Sequence, residues 1–172
     1  DAKRIGTKTV VITGGEPLLH PDLYQIVSEA KRLGMTINIT TNGTLVEKKW
    51  EELVQCGIDS LSFSLDGIGS VHDEIRGQKG AFDRTLQALD RVRSETDIDC
   101  NVYFVATNKN VHQLWDVYEL SKERGARFDF WPVNDAPELY LKTSAAKKMW
   151  LDTVTKIIDD DPSFASRRLF YE

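Results

Sequence analysis

Ser60-Leu61-Ser62-Phe63-Ser64-Leu65-Asp66 decides the fold. Leu61, Phe63 and Leu65 alternate with hydroxyls and a closing carboxylate, the two-residue period of a strand with one apolar and one polar face. Thr36-Ile37-Asn38-Ile39-Thr40 repeats the pattern, and residues 100–107 repeat it less cleanly, with Asn101 and Tyr103 opposite Val102 and Phe104. A doubly wound sheet is covered by helices on both faces, so its strands read as continuous apolar runs. These strands leave one face polar, and buried hydroxyls and amides need partners. The pattern predicts an α/β fold of the partial (β/α) barrel type, a curved parallel sheet with helices on its outer face.

Working outward, strand segments alternate with helical ones. Residues 9–13 carry the β-branched Val10, Val11 and Ile12, and residues 128–131 form a fifth strand. A helix is predicted over residues 21–33, with Pro21 in its first turn, Leu23, Ile26, Val27, Ala30 and Leu33 at helical spacing, and Gly34 as its stop. Thr44-x-x-Glu47 and Asn110 with Gln113 both read as capping boxes, opening helices that end at Gly57 and Gly125. Phe82, Leu86, Leu89 and Val92 share one side of another helix, and a last one starts near Ser144. Such regular alternation implies right-handed crossovers and parallel strands. No linker or repeat divides the chain, so a single domain over residues 1–172 is expected.

Composition narrows the function classes. The 172 residues hold 22 Lys+Arg and 27 Asp+Glu, a net charge of −5, with 41% apolar and 28% charged residues. That is the make-up of an ordinary globular protein. No apolar run approaches the ~20 residues of a membrane span, and mild acidity without a basic block speaks against nucleic-acid binding. The two cysteines, Cys56 and Cys100, are too few and too distant for a disulfide framework or a thiolate metal site, and suit a reduced, cytoplasmic protein. His20, His72 and His112 lack metal-ligand spacing. No nucleophilic triad stands out, and the absence of lysine on the five strands weakens a Schiff-base lyase or aldolase.

In parallel α/β folds the ligand lies at the carboxyl ends of the strands. Here those ends are Gly14-Gly15-Glu16-Pro17, Thr41-Asn42-Gly43, Ser64-Leu65-Asp66-Gly67, Thr107-Asn108 and Trp131-Pro132-Val133-Asn134. Two glycines let a ligand approach the backbone closely, and Glu16 offers a carboxylate to an ammonium. A plain βα turn with a solvated glutamate reads as well. Arg76, a short loop beyond Asp66, could pair with a ligand carboxylate, although such an arginine alone is more often a surface residue. Glu16 and Arg76 together suit an amino-acid group. Trp131 is the tryptophan placed to touch a ligand.

Val11-Ile12-Thr13-Gly14-Gly15-Glu16-Pro17-Leu18-Leu19, Thr40-Thr41-Asn42-Gly43, Ser64-Leu65-Asp66-Gly67, His72-Asp73-Glu74-Ile75-Arg76-Gly77 and Ala81-Phe82 follow one another in an order that resembles the radical S-adenosylmethionine (radical SAM) superfamily, in its branch acting on peptides or cofactor precursors. The resemblance implies S-adenosylmethionine at the strand ends. Gly14, Gly15, Glu16 and Pro17 would hold the methionine amino group. Residues around Asn42 and Ser64 would meet the ribose or the methionine carboxylate, and Arg76 that carboxylate. Thr107, Asn108, Trp131 and Pro132 would lie near the adenosine, and Asp66 would serve the turn or the substrate.

The superfamily's C-x3-C-x2-C loop, which binds a 4Fe–4S cluster, precedes the segment matching Gly14-Gly15-Glu16, and Cys56 and Cys100 do not substitute for it. The chain opens at Asp1. It is therefore expected to be a piece of an enzyme that cleaves S-adenosylmethionine to a 5′-deoxyadenosyl radical, itself unable to do so without the cluster. The alternative is a non-catalytic nucleoside-binding module that has lost the cluster. Residues 9–13, left as an open edge, predict self-association.

Overall fold

The computed structural model describes residues 2–134 and 136–165. Its strands are β1 (Thr9–Ile12), β2 (Thr36–Thr41), β3 (Ser60–Ser64), β4 (Asp99–Ala106) and β5 (Arg127–Pro132). They are parallel and form one sheet in the order β1-β2-β3-β4-β5. The order never reverses, so every crossover advances in the same direction. Right-handed crossovers then keep the helices to one face of the sheet. This is the winding of a partial (β/α) barrel, as the alternating strands predict, and not of a doubly wound sheet.

Among the described residues six α-helices follow the strands: α1 (Leu23–Arg32), α2 (Trp50–Gln55), α3 (Ser70–Arg76), α4 (Ala81–Glu95), α5 (Leu114–Glu123) and α6 (Ser144–Asp160). Helix α3 lies in a stretch whose sequence reads as loop; it is two turns long, too short to display an apolar period, and Gly77 at φ 63° stops it. Neither capping box forms. Thr44 gives its N–H and hydroxyl to Asn42 Oδ1, and Glu47 pairs with Arg91, which lies over the Trp50 ring. Thr143 does cap α6, accepting from the Ala146 amide.

By contacts the described chain divides into two compact units. One comprises the residues up to Ser64 with Asp83–Val102, the other Leu65–Phe82 with the chain from Tyr103 onward. In the first, register pairs Ile39 with Leu61 and Thr41 with Phe63, and Ile37, Ile39, Leu61 and Phe63 are fully buried with Leu53 and Val92. In the second, Phe130 anchors an aromatic core, 5.5 Å from Phe128 and from Trp150 and 5.7 Å from Phe164. Strand β1 is an edge. Val11 is 57% exposed there, and Ile26, one of the apolar residues at helical spacing in α1, is 47% exposed beside an apolar groove lined by Val10, Ala30, Leu33 and Met35. Among the described residues no helix is long and apolar enough to cross a membrane.

Candidate cofactor site

In the first unit, Glu16 joins two strand ends. Its Oε1 accepts from the Leu18 amide (3.0 Å) and the Thr41 hydroxyl (2.8 Å), and its Oε2 accepts from the Asn42 amide (2.8 Å). A carboxylate has about four lone-pair positions, so one stays open to a ligand. The latch holds the exposed Gly14 and Gly15 backbone, where a Cβ on either glycine would meet nothing within 4 Å and φ at Gly14 is +141°. Pro17 follows, buried, and starts a 3-10 turn capped by Glu16.

Asn42 is committed to its loop. Oδ1 receives Thr44, and its carbonyl accepts from Thr85 Oγ1 at 2.7 Å. Gly43 makes that approach possible: φ is +78°, and a Cβ would stand 2.9 Å from Thr85 Cα. Such a position takes glycine because any side chain meets strain and backbone at once.

The polar face of the first unit is hydrogen-bonded to itself at depth. Asn38 Nδ2 donates to Ser60 Oγ (2.7 Å) and Ser62 Oγ (3.0 Å), Ser62 returns a bond to Asn38 Oδ1, and Asn101 Nδ2 donates to Ser62 (3.1 Å). Above this ladder, toward the carboxyl ends, come Thr40 and Ser64. Thr40 sits opposite Ser62 in the register, and both hydroxyls are half-buried without a hydrogen-bond partner among the described residues. The ladder is a closed floor, and the hydroxyls are donors left over at its rim. Thr40 opens the Thr40-Thr41-Asn42-Gly43 stretch, yet the stretch alone does not mark its hydroxyl as available. Only the saturation of Asn38 and Ser62 beneath it does so.

In the second unit, buried Asp66 forms an ion pair with Arg76 (2.6 Å) and accepts from the Val105 amide (3.1 Å). Its own amide donates to His72 Nδ1 (3.1 Å). Burial, and secondarily the Arg76 charge, push the His72 imidazole down to about 4, so near neutral pH it accepts at Nδ1. Asn110, wholly buried, donates to the Asp66 and Val105 carbonyls and accepts from the Thr107 amide and hydroxyl. Thr107 is thereby taken up, and Asn108 donates to the Glu138 carbonyl. Gln113, the other half of the expected cap, accepts instead from the Ile68 amide. Trp131 is 37% exposed and stands edge-on to Tyr103, ring centres 5.2 Å apart. Pro132 ends β5, and the next amide, of Val133, returns to the Ala106 carbonyl.

The structure thus brings Glu16 and Asn42 together in one unit, with Ser64 on the same unit's polar face, and Asp66 and Arg76 together in the other. It adds Thr40, His72 and Asn110, which motif reading leaves out as site residues. The cysteines do not fit an iron–sulfur cluster. Cys56 and Cys100 are both buried, burial raises both thiols, that of Cys100 to about 11, and each sulfur donates to a nearby carbonyl. Among the described residues no group of three or more His, Cys, Asp or Glu could hold a metal.

Five parallel strands in a curled half-barrel with helices around it define an α/β fold of the partial (β/α) barrel class. The radical SAM superfamily model matches residues 1–121, and the chain belongs to that superfamily. It is 35% identical over 124 residues to the AdoMet-dependent heme synthase of Methanosarcina barkeri, matching 71% of this chain and 35% of that protein. It is also 35% identical over 127 residues to the PqqA peptide cyclase of Gluconobacter oxydans, with 73% and 35% covered. The chain spans about a third of the length of these curated relatives. Streptococcus suis SuiB bound to S-adenosylmethionine has the same fold, with a TM-score of 0.74 and 22% identity over 92% of this chain and 38% of that one.

Proposed function

We propose that the chain is the S-adenosylmethionine-binding core of a radical SAM enzyme acting on a peptide or a cofactor precursor. The observation that carries this reading is the Glu16 latch, which holds an open Gly14-Gly15 backbone at the same end of the sheet as the unpaired Thr40 and Ser64 hydroxyls. Backbone carbonyls there suit an ammonium, the hydroxyls suit a ribose or carboxylate, and the Arg76 guanidinium suits a carboxylate. Trp131 with Tyr103 offers aromatic surface to a nucleobase. Bound S-adenosylmethionine supplies a sulfonium that activates its 5′-deoxyadenosyl group for one-electron chemistry. The cluster this chemistry needs has no ligands among the described residues.

The relatives that make heme or cyclise a peptide support the substrate class. Calorimetry with S-adenosylhomocysteine and with 5′-methylthioadenosine tests the binding reading; saturable one-to-one heat is expected, and none with either ligand at millimolar concentration overturns it. The reading frame upstream of Asp1 separates the enzyme from a cluster-less nucleoside-binding module. A C-x3-C-x2-C motif there supports the enzyme, and a start codon without one supports the module.

A further inference from the structure

Asp66 has every polar atom engaged within its own unit. His72 Nδ1 takes its N–H at 3.1 Å, Asn110 Nδ2 gives to its carbonyl at 2.9 Å, the Val105 amide gives to Oδ1 at 3.1 Å, and Arg76 Nη2 meets Oδ2 at 2.6 Å. The side chain is 7% exposed. A carboxylate this enclosed has little surface for a ligand, and its chemistry is to hold something else.

What it holds is Arg76, the last residue of α3 before Gly77 turns the chain away. Left alone, an arginine at a helix end samples many rotamers and loses that freedom when it binds. The ion pair engages one nitrogen and leaves the other N–H donors of the guanidinium uncommitted among the described residues. The aspartate cannot drift, because its backbone is pinned from both sides. His72 is buried and accepts in its neutral form, and Asn110 uses all its bonding capacity on Asp66, Val105 and Thr107.

We propose that Asp66 is a positioning residue, touching no ligand itself and pre-aiming the Arg76 guanidinium at a carboxylate-bearing ligand. The role rests on the cofactor reading above and gives Asp66 a place in it. A rival exists in the same geometry: Asp66 could merely occupy Arg76 and compete with the ligand. The two differ in sign. Removing a positioner weakens carboxylate binding, and removing a competitor strengthens it.

Asp66→Asn keeps the volume and the acceptor for the Val105 amide while abolishing the ion pair. Its affinity for S-adenosylhomocysteine, which has the amino-acid carboxylate, should fall by about tenfold or more, the size of one charge-assisted hydrogen bond. Its affinity for 5′-methylthioadenosine, which lacks that group, should stay within about twofold. General loosening of the fold would lower both alike, and that result overturns the proposal, as does unchanged or tightened S-adenosylhomocysteine binding. Should Asp66→Asn lose the native circular dichroism, Asp66→Glu carries the same test, since it keeps the charge and the ion pair but displaces the carboxylate that aims Arg76. Unchanged S-adenosylhomocysteine affinity in that variant also overturns it. Failure of the unaltered chain to bind either ligand removes the cofactor assignment itself, and the role with it.

Discussion

Replacing Glu16 with glutamine changes one charge and almost no volume, so its cost can be worked from three bonds. The amide oxygen can keep the partners of Oε1, the Leu18 amide and the Thr41 hydroxyl. The amide nitrogen then stands where Oε2 stood, 2.8 Å from the Asn42 amide, and two donors face each other. One hydrogen bond to a charged group is lost, about 1.5–3 kcal/mol, and the two that remain lose their charge assistance, giving about 2–4 kcal/mol in all. For a chain of this size each kcal/mol moves the melting temperature by about 2–4 °C, so Glu16→Gln should melt about 4–16 °C lower. Circular dichroism measures the shift, and amide hydrogen exchange at Asn42 should accelerate with it. A midpoint within about 2 °C of the parent, with Asn42 exchange unaltered, would refute the latch. The carboxylate would then be free for a ligand ammonium alone.

Other outcomes follow from the same geometry. Gly43→Ala combines a left-handed backbone with a Cβ 2.9 Å from Thr85 Cα; it should cost about 2–5 kcal/mol, and a melting point within about 1 °C of the parent would show that the loop yields freely. The His72 imidazole is pushed down to about 4 by burial and Arg76, so the unfolded chain binds a proton there before the folded chain does. Stability should hold above pH 6.5 and fall by up to about 3 kcal/mol as the pH drops toward 4. Urea titrations at several pH values check this, and a curve that His72→Gln does not flatten would assign the loss to other groups. We further propose that the open β1 edge, with Val11 57% exposed, drives self-association. Light scattering should grow with concentration and diminish in Val11→Lys; a monodisperse monomer at high concentration would contradict it.

Much of the fold is legible in the sequence because one physical rule governs it. Side chains alternate across a strand, and the polar face of β3 announces that helices cover only the other. The strand positions, the glycine stops and the strand-end motifs follow from similarly local rules. The two expected capping boxes fail for a reason equally physical. Asn42 outcompetes the helix terminus for Thr44, and Asn110 is claimed by the ends of β3 and β4, partners 44 and 5 residues away. Local spacing identifies what a side chain can bond, not which of several partners reaches it first.

The amino-acid order by itself determined the sheet's one-sided covering, the sequence of strand ends and the family they resemble, since each depends on neighbours a few residues apart. The tertiary structure alone decided which polar groups remain available. Glu16, Asn42, Asp66 and Thr107 look equally open in sequence, yet the first three accept bonds from Leu18, Thr85 and Val105 and Thr107 donates to Asn110, while the Thr40 and Ser64 hydroxyls are left without a partner among the described residues. A buried donor or acceptor is satisfied by whatever the fold carries to it from distant segments, and that competition exists only in three dimensions.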